Sequence, residues 1–297
     1  MGAASAPFEL AAQAPATGSA GDTSFTLSGA ERAARLEKDR DNQALQRVPP
    51  FKVFDNLYYV GIGWVGAWLI TTGQGLILID ALEPRYADHL IDSVRQAGFD
   101  PKDIRYLIVA QAHFDHLGAA LELQEKYGVT VGMGAADWTF AATSSRGRFQ
   151  VPRRQLAIRD GDLLRLGKTT LTFYSTPGHT PGTTSIDFTV YDNGTPHRAF
   201  MLGGGAPAPG VEPAEQFVAT VARLEQMQEG IEVRVLNHPW MDPNFWDRRD
   251  ALARRKPGEP HPFVSADEVK VWIQQLKASA AADLADARLK AATGAPK

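Results

Sequence analysis

Four consecutive residues, His113-Phe114-Asp115-His116, place three metal-binding side chains directly behind the strand-like run Tyr106 to Gln111. A strand that ends and turns into a helix can send His113 to one side and Asp115 with His116 to the other, so that one turn serves two neighbouring cation positions. Imidazole and carboxylate donors suit zinc first among the common ions, with iron and manganese also compatible. A lone histidine at a strand end is usually a surface or hydrogen-bonded residue. That reading does not account for three ligand side chains within four residues.

Two further histidines lie in matching contexts. His179 sits in the turn Ser175 to Gly182, after the alternating run Thr170 to Tyr174, and His238 follows the strand-like run Glu232 to Asn237 and precedes Pro239. Three separate strand ends therefore each deliver a histidine. His89 falls within a polar helical stretch, while His197 and His261 stand next to prolines, so these three are expected to be solvated.

The chain has 297 residues and 44% hydrophobic content, enough for a sizeable core in one large domain or two small ones. With a net charge of −3 and only short basic runs, such as Arg254-Arg255-Lys256, it lacks the footprint of a nucleic-acid binder. It contains no cysteine, which excludes disulfides, thiol nucleophiles, cysteine-ligated zinc sites and iron–sulfur clusters. The apolar runs are strand-sized, so no membrane span is expected. No signal peptide is legible in the opening residues, and the compartment stays open: a soluble protein of the cytoplasm, or of the periplasm if a leader was trimmed.

Residues 1–25 are rich in Ala, Gly, Ser, Thr and Pro and read as a flexible arm. Ser28 to about Gln46 reads as an exposed helix, which gives an N-terminal region of residues 1–50 and a single domain over residues 51–297. From Phe51, short β-type runs alternate with helical patterns. Strands fall near Leu57–Val60, Ala67–Thr72, Leu76–Asp80, Arg105–Ala110, Val129–Met133, Leu163–Leu166, Thr169–Ser175, Thr184–Val190 and Arg198–Leu202. Helices fall near Ala87–Ala97, Leu117–Tyr127 and Pro213–Met227, with a last one beginning at the capping-box sequence Ser265 to Glu268. The pattern points to an α/β (α+β) fold, an αββα sandwich of two mixed β-sheets flanked by helices.

In motif order, Asp80, the His-x-Asp-His cluster, the turn around His179 and the late His238 resemble the metallo-β-lactamase fold superfamily, over roughly Phe51 to His238. Within it, Asp160-Gly161-Asp162, the Thr176 to Gly182 turn and His238-Pro239 are most similar to subclass B3. The resemblance implies one zinc held by Gln111, His113 and His179, and a second held by Asp115, His116 and His238. Two departures stand out. Gln111 replaces the usual first histidine, and its amide oxygen is a weaker zinc ligand, so that site is expected to be weak or empty. Met201 to Gly205 carries no acid where most hydrolases of the superfamily place a metal-bridging aspartate, a bridge that subclass B3 also lacks. Gly203, Gly204 and Gly205 themselves read as a tight turn or close backbone approach ahead of amide donors for a pocket.

The implied chemistry is hydrolysis of a carbonyl by zinc-activated water, most readily in a cyclic amide such as a β-lactam, with Asp115 both ligating metal and orienting the water. Another hydrolase or lyase acting on an ester, lactone or small aromatic metabolite is the first alternative. A metal-depleted, non-catalytic binding protein is the second. Asp80 is either an acceptor that fixes the tautomer of a ligand histidine or a strand-end turn residue. Trp64, Trp68, Trp138, Phe149 and Trp240 are candidates for pocket walls, although such aromatics more often belong to the core. The partner expected is a small-molecule substrate, with neither nucleic acid nor membrane; the sequence does not fix the oligomeric state.

Overall fold

The computed structural model describes residues 28–144 and 149–294. The arm expected over residues 1–25 lies outside them.

Two sheets form face to face. The first has seven strands, β1 (Phe51–Phe54), β2 (Leu57–Tyr59), β3 (Trp68–Thr71), β4 (Leu76–Ile79), β5 (Ile104–Val109), β6 (Thr130–Gly134) and β7 (Leu156–Ile158), paired in chain order. Strands β1 to β4 are antiparallel, and β4 to β7 run parallel. The second sheet has five strands: β8 (Leu163–Leu166), β9 (Thr169–Ser175), β10 (Thr184–Asp192), β11 (Thr195–Met201) and β12 (Ile231–Val235). Here β12 pairs parallel to β11 and the rest are antiparallel.

Strand alternation explains the layering. In β4 and β5, Ile77, Ile79 and Ile108 point into the core between the sheets, where they join Phe173, Ile186 and Val235. Their neighbours Leu78, Leu107 and Val109 point outward, against Leu90 and Val94 of α3 (Ala87–Gln96), after two short N-terminal helices, α1 (Gly29–Lys38) and α2 (Gln43–Gln46). Both faces are thus buried, as continuous apolar runs in parallel strands require. Helices α4 (Phe114–Leu117), α5 (Ala120–Tyr127) and α6 (Ala135–Ser144) complete that outer layer. On the far side, α7 (Val211–Met227) and α9 (Ala266–Thr293) cover the second sheet through Phe217, Val221, Trp272 and Ile273, with α8 (Phe245–Arg254) between them in the chain. The αββα sandwich expected from the pattern is the fold observed. Among the described residues no helix is long and apolar enough to cross a membrane.

Several local readings need correction. The helix expected to be exposed near the N-terminus is docked: Ser28 and Glu31 form a capping box, and Ala33 and Leu36 are buried in the core between the sheets. Buried Gln46 donates to the Leu36 carbonyl and offers its own carbonyl to the Gly63 amide, so α1 and α2 brace the loop over residues 60–66. Residues 28–50 therefore pack as part of the domain. The expected single helix Leu117–Tyr127 is two, α4 and α5, while β7, α6 and α8 were not foreseen. His89 and His261 are not solvated: His89 is buried and bonds the Gly61 carbonyl, and His261 bonds the Val53 carbonyl and stacks on Phe54. His197 is half-buried beside Glu232.

The docked helix has a measurable consequence. Leu36→Ala is expected to lower unfolding free energy in urea titration by about 2–5 kcal/mol, the range for a truncated core leucine. A change within about 0.5 kcal/mol would mark a surface helix instead.

Candidate metal centre

All six candidate ligands lie at C-terminal strand ends or in the turns that follow them. Gln111, His113, Asp115 and His116 follow β5, His179 follows β9 and His238 follows β12. The parallel arrangement of β4, β5 and β6 gathers such ends along one edge of the sandwich.

Asp80 fixes the geometry from below. It is fully buried just past β4 with φ at 62°, a left-handed backbone unusual for a residue with a side chain. Its Oδ1 accepts from the Ala110 amide at 2.8 Å, and its Oδ2 accepts from Nδ1–H of His116 at 2.8 Å. That bond sets the His116 tautomer and leaves Nε2 as a lone-pair donor facing the site. His238 is set the same way: its Nδ1–H donates to the Trp64 carbonyl at 2.9 Å, and its ring stacks against the Trp64 indole.

The result is an electrostatic conflict. The Nε2 atoms of His116 and His238 face each other at 3.2 Å, and Asp115 Oδ2 lies 3.3 Å from the first and 3.6 Å from the second. Two lone pairs and a carboxylate oxygen converging on one point repel unless a cation lies between them. Burial opposes a charge on His116, yet Asp115 and Asp80 outweigh it and push its pKa up to about 10. Burial likewise opposes ionisation of Asp115, but His116 and then His238 hold it well below the ordinary carboxylate range. The niche therefore favours positive charge, whether a proton or a metal ion. Asp115, His116 and His238 are the group among the described residues whose donor atoms fit a single ion, all within 4.8 Å of one another.

Beside this triad lies a second set. The rings of His113 and His179 meet edge to face at 4.8 Å, and His179 Nδ1–H donates to the Ala206 carbonyl at 2.7 Å. Burial, and then the neighbouring His179, bring the pKa of His113 down to about 4. Burial followed by the charge of His116 does the same for His238, also to about 4. His179 is lowered by burial as well. Neutral imidazoles are the form a metal binds. Gln111 is almost wholly buried, and its Oε1 has no hydrogen-bond partner, an orphaned acceptor lining the same pocket as His179 and His238. Opposed lone pairs and an unsatisfied buried oxygen are what a donor set built for a metal would display, so the residues fit the group.

The sequence did not disclose the brace that joins the two ligand turns. Asp137 in α6 is fully buried; its Oδ2 accepts from the Ala112 amide at 2.9 Å and the Thr180 hydroxyl at 2.8 Å, and its Oδ1 from the Gly182 amide at 2.7 Å. Burial raises its pKa to about 6 against those three donors. Its signal was an acid in an otherwise apolar stretch just after β6. Of the aromatic candidates, Trp68 and Trp138 are core residues bonded to the Leu236 and Leu156 carbonyls, and Phe149 is buried in the outer core. Trp64 and half-exposed Trp240 flank His238. Close packing explains the glycines after β11: a Cβ on Gly204 would fall 2.4 Å from that of His179, and one on Gly205 would fall 2.0 Å from Met241 Cε.

Residues 65–192 match the family model described as the metallo-beta-lactamase superfamily. Among solved structures, the chain is similar to BJP-1, a subclass B3 metallo-beta-lactamase of Bradyrhizobium japonicum, with 28% identity, a TM-score of 0.75 and coverage of 84% of this chain and 98% of that one. It is also similar to native FEZ-1 metallo-beta-lactamase of Legionella gormanii, with 25% identity, a TM-score of 0.74 and coverage of 81% and 97%. Among curated proteins it resembles the hydroxyacylglutathione hydrolases of Acidiphilium cryptum (29% identity, 53% of this chain, 58% of that protein) and Methylococcus capsulatus (27%, 50% and 52%). The match thus spans little more than half the length of either curated relative.

The Asp137 brace can be tested without any substrate. Asp137→Asn keeps the shape but replaces one acceptor oxygen with a donor, leaving a buried amide or hydroxyl unpaired. The expected result is a loss of about 1–3 kcal/mol in chemical denaturation and zinc affinity lowered about 10-fold or more by competition with a chelating dye. Unchanged affinity would mean that the turns hold their places without it.

Proposed function

We propose that this chain, a member of the metallo-β-lactamase superfamily, is a zinc-dependent hydrolase of carbonyl compounds, with Asp115, His116 and His238 as ligands of one ion and Gln111, His113 and His179 as ligands of a second, weaker site. The observation that carries this reading is the 3.2 Å approach of the two Nε2 atoms, each with its other ring nitrogen tied to an acceptor. Zinc bound there supplies a Lewis acid for the carbonyl oxygen and lowers the pKa of a water to about 7.

The chain's own groups do the rest. Asp80 and the Trp64 carbonyl orient the two imidazoles, and Asp115, held ionised, offers an acceptor that orients the attacking water by its proton. His113 and His179, half-buried and held toward the neutral form, would supply lone pairs on the adjoining side. The pocket above offers the indoles of Trp240 and Trp272 as apolar walls.

A strained cyclic amide of the β-lactam kind is the first substrate reading, supported by the likeness to subclass B3 structures over most of the chain. The curated relatives favour an ester or thioester as the second. Against that second reading, the turn after β11 offers glycines and no carboxylate to bridge two ions. The test is metal content together with turnover. Zinc-loaded protein should hold at least one ion per chain by elemental analysis and hydrolyse a carbonyl substrate in a screen of β-lactams, lactones and thioesters. Asp115→Ala should abolish tight binding at the triad and lower turnover by more than about 100-fold. Failure to bind zinc at millimolar excess would turn the reading toward a non-catalytic binding protein. Gln111→His should tighten the second site, and an unchanged stoichiometry and affinity would place Gln111 away from the metal.

A further inference from the structure

A pocket of about 380 Å³ stands directly over the centre, with Gln111, His179 and His238 in its lining. Its walls come from two places far apart in sequence: Trp240 and Met241 beyond β12, and Trp272 and Leu276, one turn apart on α9. The other polar side chains in the lining are Gln275 and Ser279, both uncharged and both exposed at the rim. No Lys, Arg, Asp or Glu lines it among the described residues.

A cation behind the Trp272 wall is already committed. The Arg234 guanidinium lies over the Trp272 ring at 5.2 Å, but it is paired with Asp242 at 3.0 Å, and Asp242 is shared with Arg248 at 3.1 Å. Arg234 does not reach the pocket lining. An anionic group entering this space would shed part of its hydration and meet no side-chain cation in the lining, whereas an uncharged aryl or alkyl group would bury apolar surface against indole faces and a thioether.

We propose that the pocket takes the uncharged, apolar arm of the acyl substrate and discriminates against one that carries an anion beyond the reacting carbonyl. This rests on the reading of the centre as a hydrolase. It separates the chain from substrates built like a glutathione thioester or a penicillin, both of which carry carboxylates, and points to neutral cyclic amides, lactones or esters with a hydrophobic substituent.

The test pairs two probes that differ by one sulfonate group, 4-phenylbutyramide and 4-(4-sulfophenyl)butyramide; a sulfonate is a poor zinc ligand and so reports on the pocket. Isothermal titration of the zinc-loaded full chain should give at least ten-fold tighter binding of the neutral amide. Trp240→Ala, at a half-exposed position, should weaken the neutral probe several-fold. Gln275→Arg, on the exposed rim, should close the gap by improving the sulfonate. Equal or tighter binding of the sulfonate, or no binding of either probe, overturns the proposal. Turnover of the matching phenyl thioesters separates the two readings. Selective binding of the neutral probe with no hydrolysis of either thioester sinks the hydrolase and leaves the pocket. Hydrolysis that favours the sulfonated thioester sinks the pocket and leaves the hydrolase.

Discussion

The buried carboxylate of Asp80 is the constraint on which the centre depends. One oxygen stitches the end of β4 to the end of β5 through the Ala110 amide, and the other holds His116 in a single tautomer. A charge in so dry a place is tolerated only with partners on both oxygens. Those partners convert the position of a strand into the direction of a lone pair. Through that one side chain, the register of the parallel strands becomes the geometry of the candidate metal site.

The second imidazole is held by a longer chain of support. His238 depends on the Trp64 carbonyl, Trp64 sits in the loop over residues 60–66, and that loop is tied at Gly63 to Gln46 and bears the Arg40 guanidinium over its indole. The N-terminal helices thus contribute to the centre without touching it. Asp137 does comparable work for the turns carrying His113 and His179. Of the candidate ligands, His116, His179 and His238 are each oriented by a neighbour, as precise positioning of a cation would require.

Much of this was legible in the residues. Continuous apolar runs in β4 and β5 and period-2 alternation in β9 announced the sheets, and the apolar faces of α3 and α7 announced their covers. The ligand residues stood out because three chemically similar side chains at strand ends have little structural reason to be there. What was hidden followed from weak local signals. Helix α6 buries only Asp137, Trp138 and Ala141, too short a face to reveal a period, and α8 crowds Phe245 and Trp246 together before a polar stretch. His89 and His261 looked solvated because their acceptors, the carbonyls of Gly61 and Val53, are 28 and 208 positions away in the chain. Polar burial satisfied by distant backbone leaves no mark on a local pattern.

Met241 has a consequence for how the site ages. Its Cε fills the space left free by Gly205, and its thioether forms part of the wall above the ligands. In a chain without cysteine, no thiolate stands ready to intercept peroxide. Oxidation of Met241 to the sulfoxide would put a polar oxygen into the tightest corner of the wall. Weathering of the protein in an oxidising environment would then surface as a change in what the pocket accepts, before any change at the candidate ligands.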